Sequence, residues 1–260
     1  MSITFPTTNL KVPSGITALP SEFKRPAFGT LYGFDAQGGG GAAFANTLSC
    51  SFDATAPDSL QLASDETFSG VYSLSLWFKP TNRKHFQTLV WGTGNDYVQL
   101  YGPDIGAGRQ ALARGYATIG PGAGGVYDFD AWNHLLLVRN SSNVVQIWIN
   151  TNSIGSASKS GDVVITRLGI YGTGTDTFGG LIDEVAIWDS DQSSNLSTIY
   201  NSKVPADLTA LSPLSWWRMG ETNPGSGGTA VALITDVQGR NNFAQADASK
   251  QPVLSTDVAS

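Results

Sequence analysis

The 260-residue chain has one cysteine, Cys50, so no disulfide forms within it and packing alone has to hold its fold. Set between Ser49 and Ser51 in a strand-like stretch, Cys50 reads as a small buried hydrophobe. Histidine is scarce too. His85 and His134 are the only two, and neither has the His or Cys partner at ligand spacing that a zinc site needs. Charged residues make up 14% of the chain, against about 25% in ordinary soluble proteins. The net charge is −6, and the densest basic group, Arg83-Lys84-His85, is short enough to be a solvated turn. A chain so charged has no general attraction for phosphate backbones or anionic membranes, so neither nucleic acid nor membrane is an expected partner. No apolar run is long enough for a spanning helix, which needs about 20 residues. Met1-Ser-Ile-Thr-Phe-Pro lacks the basic and apolar regions of a signal peptide. The expectation is a product made in the cytoplasm that leaves it only as part of something larger. No internal repeat of about 20–50 residues is visible, which excludes solenoids and propellers.

What the chain has in quantity is glycine, 30 residues, together with Ser, Thr and Asn, which supply turns and an uncharged polar surface. Residues 1–47 hold prolines at 6, 13, 20 and 26 and the run Gly38–Gly41, with no strand or helix period. They read as an extended N-terminal arm, suited to lie on another subunit or on the rest of the chain. Residues 48–205 then show short β-rich runs separated by turn residues. The runs fall near 49–53, 58–62, 71–79, 86–91, 96–101, 110–118, 132–139, 144–150, 163–170 and 180–188. Ser73-Leu74-Ser75-Leu76-Trp77-Phe78 and Val144-Val145-Gln146-Ile147-Trp148-Ile149 alternate, so each strand turns one set of side chains inward. The fold class expected is all-β, a two-sheet antiparallel jelly-roll sandwich. Leu196, Ile199 and Tyr200 predict one short helix over 191–201. Residues 206–260 form a C-terminal extension. Its Trp216-Trp217 pair requires cover from the sandwich or a neighbouring chain, because exposed apolar area costs about 25 cal/mol per Å².

Three passages resemble the laminin-G-like domains of the concanavalin A-like lectin/glucanase superfamily. They are Tyr72-Ser-Leu-Ser-Leu-Trp-Phe-Lys-Pro; Ala131-Trp-Asn-His-Leu-Leu-Leu-Val-Arg followed by Val145-Gln-Ile-Trp-Ile-Asn; and Gly179-Gly-Leu-Ile-Asp-Glu-Val-Ala-Ile-Trp-Asp. The family's Asn-Gly hairpin is here Asn150-Thr151-Asn152, a looser form of the same turn. The arm and the Trp216–Glu221 and Ile234–Asn242 segments resemble phage virion proteins that carry this domain. That resemblance implies a non-enzymatic virion component, a capsid decoration or a tail or fibre part. Its partners would be other virion proteins, further copies of itself and a cell-surface glycan. The alternative is a carbohydrate-binding lectin module of a bacterial surface or secreted protein.

The superfamily includes glycoside hydrolases, which need two carboxylates flanking one glycosidic bond. The nearest acidic run is Asp183-Glu184, adjacent residues that a regular strand sends to opposite faces, with Glu184 expected at the surface. No catalytic residues are assigned. His134 matches a family core position and is expected to be a hydrogen-bonded structural residue. No Gly-x-Ser-x-Gly elbow and no strand-turn-helix phosphate loop are present. The resemblance makes calcium the one metal worth weighing, with loop carboxylates Asp96, Asp104, Asp128, Asp130 and Asp176 as candidate ligands. For a sugar, Tyr97, Tyr101, Tyr116 and Tyr171 are the candidate stacking platforms.

Overall fold

Alternation of apolar and polar residues becomes two packed antiparallel sheets in the computed structural model of the chain. The structure describes residues 44–84, 86–93, 96–101, 127–172, 174, 176–222 and 225–260, and the backbone of 110–114. Residues 1–43 of the expected arm, with Asp104 and Tyr116, lie outside the described residues. Asn46–Ser260 is one compact unit.

The strands are β1 (Ser49–Phe52), β2 (Leu60–Phe68), β3 (Tyr72–Pro80), β4 (Phe86–Trp91), β5 (Tyr97–Tyr101), β6 (Gln110–Arg114), β7 (Asn133–Arg139), β8 (Val144–Ile149), β9 (Asn152–Ser158), β10 (Val163–Leu168), β11 (Gly180–Trp188), β12 (Ser215–Trp217), β13 (Leu233–Ile234), β14 (Phe243–Ala244) and β15 (Val253–Ser255). The first sheet runs β15-β1-β11-β3-β7-β8-β9, with β12 also on β11; the second runs β13-β14-β2-β10-β4-β5-β6. The all-β jelly-roll expectation is met. Strand β9 was not foreseen: Asn152-Ser-Ile-Gly-Ser-Ala-Ser is polar and small, and its place comes from pairing with β8 rather than from an apolar period. The turn before it holds Asn150 and Thr151 at φ 49° and 70°, the two left-handed residues that a tight hairpin of this hand requires.

Leu74, Leu76, Phe78, Leu135, Leu137, Ile147 and Ile149 from the first sheet meet Leu60, Leu62, Leu89, Val98, Leu100 and Ile165 from the second in one dry core. Cys50 is part of it, its Sγ 3.2 Å from the Met219 carbonyl oxygen. The opposite face of the first sheet is also covered. Helix α1 (Leu196–Tyr200) lays Tyr200 parallel to Trp77 at 5.8 Å, and Trp188 Nε1 donates to the Leu211 carbonyl at 3.1 Å. His134 is buried beneath this cover with Nε2 2.8 Å from Ser75 Oγ, and burial holds its pKa down at about 3.

Residues after Pro205 extend both sheets. Trp216 and Trp217 lie on β12, paired with β11 and buried on the chain's own sandwich. The Ile234–Asn242 passage owes its sequence to Asp236. Its two carboxylate oxygens accept backbone N–H groups from Trp216 (2.9 Å), Gln238 (3.0 Å), Arg240 (3.2 Å) and Asn241 (3.1 Å). Arg240 closes the loop with a fork onto both Glu66 oxygens at 2.8 and 2.7 Å, tying it to β2.

Candidate functional site

Paired residues of neighbouring strands point to the same side of a sheet. Register therefore sets Trp91 beside Tyr97 and Arg167 beside Trp91 on the outward face of the second sheet. The loop after β10 adds Tyr171, whose ring meets Tyr97 edge-on at 5.2 Å and Trp91 at 6.3 Å. The Arg167 guanidinium lies over the Trp91 ring at 4.7 Å and donates from Nη1 to the Gly172 carbonyl at 2.8 Å. Burial lowers the Arg167 pKa, with the charge of Asp65 opposing that fall. Trp91 and Tyr171 keep part of their surface open, while Tyr97, 5% exposed, is the floor of the cluster. Trp91 Nε1 and Arg167 Nε have no hydrogen-bond partner among the described residues. Such buried orphan donors cost about 1–3 kcal/mol each.

The structure thus brings Tyr97 and Tyr171 together and adds Trp91 and Arg167, which the sequence reading did not single out. Tyr101 lies further along β5, edge-on to Phe86 at 4.8 Å, and its carbonyl accepts from Tyr127 Oη at 2.6 Å. The candidate aspartates are dispersed among structural roles. Asp96 takes the Val164 N–H at 2.9 Å and Lys159 Nζ at 3.4 Å. Asp176 Oδ2 accepts from Gln99 Nε2 at 3.1 Å. Asp128 exchanges backbone hydrogen bonds with the Asn133 side chain, and Asp130 sits in a left-handed turn.

Carboxylates do converge elsewhere. One oxygen each of Asp183, Glu184 and Glu221 lies within 4.8 Å of the other two, the one acidic set of that kind among the described residues. The expectation that Glu184 would be exposed is overturned: it is 2% exposed. Strand β11 slips register against β3 between Asp183 and Ala186, and Glu184 adopts φ 45°, so neighbours in sequence turn the same way. Burial raises the pKa of both, that of Glu184 to about 7.

This set does not suit calcium, which takes six to eight oxygens. Glu184 already accepts from Trp216 Nε1 (2.6 Å) and Arg218 Nε (3.0 Å). Asp183 accepts from Asn46 Nδ2 and the Glu184 N–H, both at 2.9 Å. Glu221 Oε1 accepts the Thr47 and Leu48 N–H groups. Protein donors, among them a guanidinium, take up the Asp183 and Glu184 oxygens and Glu221 Oε1, while Glu221 Oε2 and Asn46 Oδ1 are buried without a hydrogen-bond partner among the described residues. The knot fastens the approach to β1, the β11 bulge and the segment after β12 to one another.

A sandwich of these two sheets, closed by the Gly180–Trp188 strand and a short helix, is a lectin-like jelly roll of the concanavalin and laminin-G type. The family description of the concanavalin A-like lectin/glucanases superfamily matches residues 54–195, more than half of the chain, and the chain belongs to that superfamily. Among solved structures, a candidate carbohydrate-binding protein from Bacteroides ovatus superposes with a TM-score of 0.56 at 14% identity, covering 82% of this chain and 61% of that one. A heptameric SAP-like pentraxin from Limulus polyphemus gives 0.45 at 11% identity, over 60% of this chain and 82% of that one. The first of these likenesses supports the fold. No curated protein matches the sequence.

Proposed function

We propose that this chain is a non-enzymatic structural component of a phage virion, a capsid decoration or a tail or fibre part. In this reading its jelly roll binds a host-surface glycan on the outward face of the second sheet. The observation that carries the glycan reading is the partly open Trp91–Tyr171 pair, backed by Tyr97 and Arg167. Sugars offer one apolar face, which suits a partly open aromatic surface. The virion reading is supported by the proline-rich arm sequence and by the resemblance of the Trp216–Glu221 and Ile234–Asn242 segments. A lectin module of a bacterial surface protein is the second reading, favoured by the match to the Bacteroides ovatus protein.

A glycan array with purified protein, run with calcium and again with chelator, tests the binding. Selective signal is expected in both conditions, and Trp91→Ala should weaken it by about tenfold, the worth of one aromatic contact. Silence across the array would refute the glycan role. Mass spectrometry of purified particles tests the virion role, with many copies per particle expected and absence of the chain refuting it.

A further inference from the structure

An open cleft of about 710 Å³ has a lining that includes Asp53, Asp58, Asn82, Arg83, Ser249 and Gln251, and none of Trp91, Tyr97 or Tyr171. Its walls are fastened before any ligand arrives. The Gly179 carbonyl accepts the Thr81 and Asn82 N–H groups at 3.0 and 3.1 Å. A Cβ on Gly179 would lie 2.7 Å from Asn82 Cβ and 2.9 Å from Ala54 Cβ, so the absence of a side chain lets the 53–58 and 81–83 segments meet. Lys84 Nζ donates to the Ala54 carbonyl at 3.1 Å, and the Ser59 N–H donates to the Lys250 carbonyl at 3.0 Å, fixing the third wall. The Arg83 guanidinium rests on the Phe129 ring at 4.9 Å.

Within this frame Asp58 is 5% exposed, yet only one of its oxygens is used: Oδ2 accepts the Asp53 N–H at 2.7 Å, and Oδ1 has no partner among the described residues. Burial raises the Asp58 pKa, and the charge of Asp53 adds to that rise. Asp53 commits Oδ1 to the Thr55 N–H and hydroxyl, both at 2.7 Å, and these bonds lower its pKa. Asn82 uses its oxygen for the Lys84 N–H at 2.9 Å and leaves its amide donors unspent. Gln251 donates to the Gln245 carbonyl at 2.8 Å, which leaves its oxygen as an acceptor.

The cleft thus presents both acceptors (Asp58, Asp53, Gln251) and donors (Asn82, Arg83) in a volume normal for small-molecule sites, about 300–1,000 Å³. Two carboxylates repel a phosphate or carboxylate ligand. The Arg83 and Lys84 side chains at the same rim, and the single unspent oxygen on Asp58, disfavour a divalent cation. Vicinal hydroxyls satisfy both sets of groups, since each donates to an oxygen and accepts from an N–H. We propose that the cleft between Asp53–Asp58, Thr81–Arg83 and Ser249–Val253 is a second ligand site that binds a neutral sugar through its hydroxyls. It is independent of the aromatic face.

The test is amide chemical-shift mapping on the ¹⁵N-labelled full chain, titrated in turn with glucose, galactose and mannose, and with calcium chloride alone. At least one sugar should shift amides of 51–58, 81–83 and 249–253. Asp58→Asn, which keeps the acceptor for Asp53 N–H but turns a donor toward the cleft, should weaken that binding by about tenfold. Arg83→Gln should weaken it as well, with the rest of the spectrum unchanged. Sugar shifts confined to the amides around Trp91, Tyr97 and Tyr171 would uphold the glycan face and overturn the cleft. Cleft shifts with calcium chloride alone would overturn it in favour of a cation site. No shift with any of the three sugars would also overturn it.

Discussion

Two buried titrating groups oppose each other in this fold, and the pH dependence of stability should expose them. Burial raises the carboxyl pKa values of both Asp183 and Glu184, and that of Glu184, held down by the Arg218 guanidinium, lies at about 7, so the folded chain keeps the Glu184 proton up to near pH 7. Unfolded, the same proton leaves near 4.5. Between those values the folded chain binds the extra proton, so stability falls as pH rises, by about 1.4 kcal/mol per unit and about 3 kcal/mol in all. His134 works the other way. Folded it titrates at about 3 and unfolded at 6.5, so from pH 3 to 6.5 the unfolded chain binds the extra proton and stability rises with pH at the same slope. From pH 4.5 to 6.5 the Glu184 and His134 contributions cancel, and Asp183 and Asp58, whose pKa values are also raised, tilt the stability of the wild type downward as pH rises. His134→Gln removes the rising component, so its stability should drop by about 3 kcal/mol from pH 4.5 to 7, or roughly 6–12 °C for a unit of this size. Asp183→Asn combined with Glu184→Gln removes the falling one and should gain about 2–3 kcal/mol from pH 4.5 to 6.5. Thermal melts followed by circular dichroism read all three. If both variants showed the same pH slope as the wild type, the assignment of these protons would be wrong.

Asp236→Ala strips four backbone N–H groups of their acceptor, including that of buried Trp216. Urea unfolding should show a loss of about 3 kcal/mol or more, with a smaller midpoint change for Asp189→Ala. Gly180→Ala should also destabilise, by roughly 2 kcal/mol or more: the glycine sits at φ 151° and a Cβ would fall 2.2 Å from the Lys79 carbonyl oxygen. In a reducing-sugar assay on polysaccharides, neither the wild type nor Glu184→Gln should give turnover.

The sandwich was legible because its strands carry their own signature. Ser73–Phe78 and Val144–Ile149 alternate, and both appear in place with the apolar set inward. Strand β9 carries no such pattern, and β12 to β15 are two or three residues long, too short for a period to declare itself. The acidic knot was misread for a specific reason. Alternation assumes a regular strand, whereas the slip at Asp183–Ala186 and the left-handed Glu184 cancel it. Tyr97 and Tyr171 stand 74 positions apart in sequence, and only the β4–β5–β10 register and the turn after β10 bring them together with Trp91. The cleft had no sequence signal, since Asp53, Asp58 and Asn82 are all ordinary turn residues.

The pairing of β1 with β15 has a mechanical meaning. Ser49, where the chain enters the sandwich, faces Ser255, where it leaves, and three residue pairs join the strands. Tension between these two points would load the ladder at one end and open its bonds in succession, the low-resistance geometry of a zip, whereas strands pulled along their length break all bonds together. A module built this way withstands drag when it is tethered by one end and gives way when it is held by both. On a surface exposed to flow, the attachment would therefore have to run through a single end of the sandwich.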